Sequence, residues 1–287
     1  MITHEFDYFS PVSIGEALTL LSEHKERNPK LLAGGQSLLP IMKLGLSTPD
    51  VIIDLKHIPS LSYIKSENGE LRIGALTRHS DISNSNEIQN LCPMLHSAAG
   101  GIGHQLIRAR GTIGGSLMHC DPRADYIIVL LALGAKIVAT SLEGNRVIPI
   151  SEFVRGPFET SLETSEILTE ISIPRNGDIG MEAFRKYEFG HGDFGLAFVA
   201  LRVWMKESVC KRSVIYVSGI GDFPIRLNEL ESYLEERRYS DSLDQVIDSC
   251  LSKLESTQGI RSETTFRKKL VSTLLRRALS DLFQKGE

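Results

Sequence analysis

Two glycine pairs constrain this chain more than any other feature, because each lies where a predicted strand or helix gives way to a new helix. The first lies in the run from Ala33 to Ser37, between a short apolar strand and a helical stretch that starts at Leu38. Glycine permits positive φ angles and close approach to its backbone. Successive N–H groups can then turn toward an anion. The run suits a diphosphate, although paired glycines by themselves also make an ordinary tight turn.

The second glycine pair lies in the run from Thr112 to Ser116, about eighty residues later, and a hydroxyl side chain flanks it on each side. It offers an anion the same chemistry as the first loop. Two such loops can hold both sides of one dinucleotide diphosphate. Neither loop matches GxGxxG or the P-loop pattern GxxxxGK(S/T). The residues therefore favour a two-loop clamp outside the Rossmann and P-loop classes.

The composition is that of a folded protein. Its 287 residues are 41% hydrophobic and 24% charged, and 32 Lys+Arg against 36 Asp+Glu give a net charge of −4. This length predicts two or three domains of about 100 to 200 residues. The mild acidity gives no electrostatic reason to expect nucleic acid. No apolar run approaches the roughly 20 residues of a membrane span, and the first residues lack the pattern of a signal peptide, so we expect a cytoplasmic protein.

The four cysteines lie far apart in the sequence, at Cys92, Cys120, Cys210 and Cys250. Metal and iron–sulfur sites usually contain close pairs such as C-x2-C, and this chain has none. Isolated buried thiols are the simpler interpretation. Any redox chemistry must then come from something other than a metal held by these cysteines.

Local patterns predict alternating strands and helices up to about residue 174. Ser13 and Glu16 form a capping box at the start of a helix, and Asn68-Gly69 predicts a hairpin turn. A second hairpin is predicted around Gly144. The pair Asp121-Pro122 predicts the start of a helix through the following apolar run.

The polar run from Arg175 to Gly180 is predicted to be a linker. Strand patterns follow over residues 182–189, 196–205 and 209–220, and helical periodicity continues from residue 227 to the end. The last third of the chain is therefore predicted to be an α+β module.

The two loops resemble those of a known family, the medium, FAD-binding subunits of the carbon monoxide dehydrogenase and xanthine oxidase family of molybdenum hydroxylases. The run from Leu32 to Lys43, followed by Asp54-Leu55, is similar to the first flavin-binding loop of that family. The run from Ile107 to Ser116, followed by Asp121-Pro122 and Asp125, is similar to the second. The resemblance extends over the whole chain.

The resemblance implies an α+β fold of the vanillyl-alcohol oxidase and p-cresol methylhydroxylase type, with two α/β lobes and the family's own C-terminal domain of antiparallel sheet and helices. The expected domains are residues 1–56 and 57–177 for the two FAD-binding lobes and 178–287 for the C-terminal domain.

The resemblance also implies a bound FAD. Carried over by position, the cofactor-binding residues would be Leu32, Ala33, Gly34, Gly35, Gln36, Ser37, Leu38, Thr112, Ile113, Gly114, Gly115, Ser116, Asp125, Leu168, Lys186 and Phe194. The two loops would surround the diphosphate, and Asp125 would accept hydrogen bonds from ribityl hydroxyls. Lys186 would lie close to the isoalloxazine and stabilise the anionic reduced flavin. Phe194 would lie near the flavin ring.

Simpler explanations remain open for several of these residues. Asp125 suits the first turn of a helix, Lys186 a solvated strand, Leu168 a core strand and Phe194 the core. The chain also departs from the family: Gln36 replaces a histidine of some members, Ser116 replaces a common asparagine, and residues 189–191 replace a basic pair. His119 and His191 are further candidates, and a structural or solvent-facing role explains each more simply than catalysis.

The function implied by the resemblance is electron transfer within a molybdenum hydroxylase complex. A substrate would be hydroxylated at molybdenum in a large subunit, and electrons would pass through the 2Fe–2S clusters of a small subunit to the FAD and then to an external acceptor. The expected assembly is a dimer of heterotrimers, and no catalytic or metal-binding residue is expected on this chain. The alternatives are a stand-alone FAD oxidoreductase of the same fold that acts directly on an alcohol or amine, and a scaffold that has lost the flavin.

Overall fold

A computed structural model of the chain describes residues 4–175, 177, 180–238, 243–255 and 261–285. Of the predicted linker, residues 176, 178 and 179 lie outside the described residues, as do the first three residues of the chain. Within the described ranges, no helix is both long enough and apolar enough to cross a membrane.

The strands, in chain order, are β1 (Asp7–Phe9), β2 (Pro29–Leu32), β3 (Val51–Asp54), β4 (Ile64–Glu67), β5 (Glu70–Gly74), β6 (Lys136–Ser141), β7 (Gly144–Pro149), β8 (Val154–Gly156), β9 (Glu159–Thr160), β10 (Ile167–Pro174), β11 (Met181–Tyr187), β12 (Ala197–Lys206), β13 (Val209–Ser218) and β14 (Ile225–Arg226).

The α-helices, in chain order, are α1 (Ile14–Glu23), α2 (Leu38–Lys43), α3 (His79–Ser83), α4 (Asn86–Leu91), α5 (Pro93–Gly100), α6 (Gln105–Arg108), α7 (Ile113–His119), α8 (Asp125–Leu133), α9 (Ile150–Phe153), α10 (Asn228–Leu234), α11 (Leu243–Ser252) and α12 (Arg261–Lys285). Short 3-10 turns are found at Lys25–Arg27, Leu55–His57 and Pro59–Leu61.

The chain forms two compact units, and each is assembled from separate stretches of sequence. The first unit contains Met1–Ile82, His104–Cys120 and Ala135–Pro174, and the second contains Ser83–Gly103, Asp121–Gly134 and Arg175–Glu287. The division of the sequence at residues 56 and 177 into three domains stays a prediction.

The first unit contains a parallel and an antiparallel sheet. The parallel sheet has the order β1-β3-β2, and α2 connects the parallel strands β2 and β3, so these three elements form a βαβ unit. The apolar face of α1 packs against β3, because Ala17, Leu18 and Leu21 lie on one side of that helix. The antiparallel sheet has the order β4-β5-β10-β6-β7. The two predicted hairpins are its outer pairs, β4-β5 and β6-β7.

The second unit is built around the antiparallel sheet β11-β12-β13-β14. Helices α10, α11 and α12 contribute their apolar faces to the core on this sheet. The central strand β12 contacts α8 as well as α12, and its residues 197–201 are all buried. Helix α8 is buried along nearly its whole length, from Asp125 to Leu133, so it lies inside the unit rather than on its surface.

One predicted helix start is wrong. Helix α8 begins at Asp125 with Ala124 as its N-cap, not at Asp121-Pro122. Asp121 Oδ1 instead accepts a hydrogen bond of 2.8 Å from the N–H of Arg123. An aspartate that bonds a backbone N–H two residues ahead forms a turn, and here that turn precedes the helix.

Candidate functional site

The first glycine loop leaves its own backbone N–H groups unpaired. It joins the end of β2 at Leu32 to the start of α2 at Leu38, and Gly35 has a φ of +72°. Among the described residues, no group accepts a hydrogen bond from the backbone N–H of residues 34, 35, 36 or 37. Within this loop, the side-chain amide of Gln36 donates a hydrogen bond of 3.2 Å to the carbonyl of Gly34. Four consecutive unpaired N–H groups are the donor set that an anion needs.

The second loop differs from the expectation drawn from its sequence, because the N–H groups of residues 113–116 are paired inside the protein. Thr112 is the N-cap of α7, and its Oγ1 accepts from the N–H of Gly115 at 3.2 Å. The remaining acceptors are the carbonyls of Thr77 for Ile113, Ala75 for Gly114 and Thr112 for Ser116. These N–H groups are therefore committed to the fold and not to an anion.

The glycines of the second loop instead allow close packing. A Cβ atom added at Gly114 would lie 2.7 Å from the Cβ of Ala75, and one added at Gly115 would lie 3.4 Å from the Cβ of Ala33 in the first loop. A Cβ added at Gly34 would overlap the carbonyl oxygen of Arg110 and lie 2.8 Å from the Cα of Gly111. The two loops therefore contact each other, and the second supports the first.

Leu168 lies in β10 of the same unit and is buried, with 4% of its surface exposed. It pairs across the sheet with Ala139, and the register shifts between Leu168 and Glu170. The core-strand interpretation therefore describes its environment. Its contact with a cofactor stays a prediction.

In the second unit, Lys186 lies between two carboxylates. Its Nζ is 3.1 Å from Asp125 Oδ1, 2.8 Å from Glu188 Oε2 and 3.1 Å from the carbonyl oxygen of Gly101, to which it donates. The side chains of Asp125 and Lys186 are 7% and 8% exposed. Lys186 is thus not a solvated strand lysine. Asp125 does lie in the first turn of α8, but it is buried there.

The protonation of this cluster follows from its burial. Burial raises the pKa of Asp125 to about 6, and the neighbouring Lys186 ammonium limits the rise. Burial also acts to raise the pKa of Glu188. The hydrogen bonds that Glu188 accepts from Lys186 and from the N–H of Gly192 outweigh the effect of burial, so the pKa of Glu188 lies below its usual range. At neutral pH both carboxylates that face Lys186 are therefore ionised.

Two further predicted residues lie in the segment after β11. Phe194 is 60% exposed, so the alternative of a core phenylalanine is wrong. The side chain of His191 is 81% exposed, and its Nδ1 lies 3.5 Å from Glu188 Oε1. His119, in the first unit, packs against the ring of Phe158 with centroids 5.2 Å apart. The simpler roles expected for both histidines stay predictions.

Sequence reasoning missed Glu188. The only sequence signal was its spacing, since residues two apart in a strand point to the same face, and Glu188 follows Lys186 by two at the end of β11. Nothing local indicated that Asp125, sixty-one positions earlier, would meet the same ammonium.

Comparisons with known proteins give one consistent result. Residues 4–176 match the family described as FAD binding domain in molybdopterin dehydrogenase, and residues 182–282 match the family described as CO dehydrogenase flavoprotein C-terminal domain. The 6-hydroxypseudooxynicotine dehydrogenase complex subunit alpha of Paenarthrobacter nicotinovorans is 34% identical over 96% of this chain and 93% of its own length. The carbon monoxide dehydrogenase medium chain of Hydrogenophaga pseudoflava is 30% identical over 98% of both proteins.

Solved structures agree with the sequence matches. Carbon monoxide dehydrogenase from Hydrogenophaga pseudoflava superposes with a TM-score of 0.92 at 30% identity, over 99% of both chains. Quinoline 2-oxidoreductase from Pseudomonas putida 86 gives a TM-score of 0.92 at 26% identity, over 98% of both chains. The predicted fold class, an FAD-binding α+β fold followed by an antiparallel C-terminal module, is confirmed.

Proposed function

Since the chain belongs to the family of FAD-binding medium subunits of molybdenum hydroxylases, we propose that it is the electron-transfer subunit of such a complex. FAD is its cofactor, and the chain is a flavoprotein oxidoreductase subunit. In this proposal, electrons reach it from the 2Fe–2S clusters of a small subunit and leave to an external acceptor. A large subunit carries the molybdenum cofactor and the substrate.

Apart from family membership, one structural observation supports FAD binding by this chain. The N–H groups of residues 34–37 have no acceptor among the described residues, and the loop that holds them is packed against the second loop. This arrangement fits an FAD diphosphate, because it presents donors that no protein group uses. Residues 34–37 would bind the diphosphate, and residues 112–116 would hold the first loop in place.

Polar groups of the second unit fit other parts of the cofactor. Asp125 Oδ1 is buried and lies 3.1 Å from Lys186 Nζ. A carboxylate has more acceptor sites than this one contact uses, so Asp125 would also accept from a ribityl hydroxyl. Lys186 and the exposed ring of Phe194 remain the candidates to contact the isoalloxazine. FAD supplies the two-electron chemistry when bound, and these side chains bind it, orient it and set the charge around it.

The partner assignment rests on the relatives. Several are named as subunits or medium chains of dehydrogenases, which supports an assembly of several chains. A dimer of heterotrimers is the arrangement we propose. The four cysteines are free and buried, which is consistent with the proposed cytoplasmic location, because disulfides are rare in that compartment.

The decisive experiment compares the isolated chain with the purified complex. We expect the isolated chain to bind FAD and show the flavin absorbance bands, and we expect a reducing substrate to bleach those bands only when large and small subunits are present. Turnover of substrate by the isolated, FAD-loaded chain would favour the stand-alone oxidoreductase. A chain that gains no flavin absorbance when FAD is added would contradict both functions.

A further inference from the structure

Glu188 makes contacts on two sides. Its Oε2 lies 2.8 Å from Lys186 Nζ, and its Oε1 accepts a hydrogen bond of 3.1 Å from the N–H of Gly192. The same Oε1 is 3.5 Å from His191 Nδ1. With its side chain 19% exposed, Glu188 lies between the buried ammonium and the exposed segment that follows β11.

Two hydrogen bonds between Gly190 and Asp193 form a turn in that segment, residues 190–194. Asp193 Oδ2 accepts from the N–H of Gly190 at 2.9 Å, and the N–H of Asp193 donates to the carbonyl of Gly190 at 3.0 Å. Gly192 has a φ of +88°, a conformation that glycine adopts readily. Among the described residues, the side chain of Glu188 connects this turn to Lys186.

Glu188 also determines the sign of the local charge. Lys186 would be balanced by Asp125 alone, since their side chains form a buried pair at 3.1 Å. The carboxylate of Glu188 adds a second negative charge to the same ammonium. A buried cluster with a net charge acts electrostatically over a longer distance than a neutral ion pair, because water screens buried charges poorly.

We infer that Glu188 is a positioning residue: its carboxylate ties the turn of residues 190–194 to the Lys186 ammonium and gives the Asp125–Lys186–Glu188 cluster an excess negative charge. The inference rests on the proposed function insofar as the cluster lies near the flavin. Lys186 therefore does not act as an isolated cation. The excess negative charge opposes the negative charge that the flavin gains on reduction, so Glu188 holds the midpoint potential of the FAD down.

Two substitutions separate the two roles. Glu188→Gln keeps an oxygen that can accept from the N–H of Gly192 but removes the charge that faces Lys186. Glu188→Ala removes both. The matched control is Glu235→Gln, which neutralises an exposed carboxylate of the same unit. The measurements are amide hydrogen exchange at Gly192 in the full-length chain and the FAD midpoint potential of the assembled complex by spectroelectrochemical titration.

We expect exchange at Gly192 to accelerate about tenfold in Glu188→Ala, as loss of one hydrogen bond to a charged group predicts. In Glu188→Gln, whose neutral amide oxygen still accepts from this N–H, we expect a clearly smaller acceleration. We expect the midpoint potential to rise in Glu188→Gln and to be unchanged in Glu235→Gln. Unchanged exchange in Glu188→Ala would overturn the positioning role. An unchanged or lower potential in Glu188→Gln would overturn the charge role. A parent chain that binds no FAD would defeat the proposed function and the charge role together, while the exchange experiment would still decide the positioning role.

Discussion

Gly34 has no room for a side chain, because a Cβ atom added there would overlap the carbonyl oxygen of Arg110. This close packing joins the first glycine loop to Arg110, which lies two residues before the second glycine loop. A glycine is needed here for space, because the position has no positive φ that would require one. The loop with the unpaired N–H groups is thus held in place by backbone packing.

Gly34→Ala is the direct test of this packing. Overlap with the Arg110 carbonyl must shift one of the two loops, and we expect the unfolding free energy to fall by about 1 to 3 kcal/mol and FAD binding to weaken. The measurements are urea unfolding and titration with FAD. Gly15→Ala is the matched control, since a Cβ at Gly15 meets nothing within 4 Å. Equal FAD affinity in both variants would show that the contact does not position the loop.

Thr112→Val removes the acceptor that pairs with the N–H of Gly115. Loss of an N-cap acceptor costs about 1 kcal/mol, so we expect a decrease of that size in the unfolding free energy. Thr112→Ser keeps the hydroxyl and is expected to restore most of it. If Thr112→Val weakened FAD binding while leaving stability unchanged, the hydroxyl would bind the cofactor directly and not cap α7.

The stability of the second unit should depend on pH through Asp125. Burial raises its folded-state pKa from 3.8 to about 6, so the folded state holds this proton more tightly than the unfolded state. Its contribution to stability is full below pH 3.8 and is lost as the pH rises to about 6. We therefore expect the unfolding free energy of the parent minus that of Asp125→Asn to fall over this range and to level off above it. Parallel pH profiles for the two proteins would refute the assignment.

Glu182 is expected to be the most sensitive carboxylate of the second unit. Its Oε1 lies 2.7 Å from Arg175 Nη1 and its Oε2 accepts from the N–H of Met94, with side-chain exposures of 1% for Glu182 and 3% for Arg175. Breaking a buried pair from one side costs about 3 to 5 kcal/mol, and we expect Glu182→Gln to approach that range in urea unfolding. Glu229→Gln breaks an exposed pair with Lys253 and should cost less than about 1 kcal/mol. Similar losses in the two variants would contradict the role of burial.

Removal of the Lys186 charge should shift the FAD midpoint potential in the opposite direction to Glu188→Gln. Lys186→Met leaves the carboxylates of Asp125 and Glu188 without their cation, so we expect the FAD midpoint potential to fall. Lys186→Arg keeps a cation and should return the potential toward that of the parent. A rise in potential in Lys186→Met would show that the cluster does not act on the flavin through its charge.

Local patterns predicted the parts of the fold that local forces determine. The hairpin at Asn68-Gly69 is confirmed, and both residues have the positive φ angles that its turn type requires. The capping box is confirmed at Ser13, whose Oγ accepts from the N–H of Glu16, although the Glu16 carboxylate accepts from the N–H of Val12 and not from that of Ser13. Each of these features depends on residues within four positions of one another.

The sequence could not predict features that distant residues determine. Whether the N–H of Gly114 is available to an anion depends on the carbonyl of Ala75, and the charge around Lys186 depends on Asp125. Neither partner is within thirty positions of the residue it pairs with, so no spacing rule connects them. The resemblance supplied the candidate residues, which stay predictions, whereas their hydrogen bonds were visible only in the fold.

The path of the chain through the second unit limits how this protein can be recombined. Helices α5 and α8 lie within residues 4–176, the segment that matches the FAD-binding family, yet they pack against β11 and β12 from the segment that matches the C-terminal family. A hybrid that joined one relative's N-terminal segment to another's C-terminal segment would have to rebuild that buried interface. The two segments are therefore expected to be inherited together, and a functional chimera between relatives should exchange α5 and α8 with the C-terminal sheet.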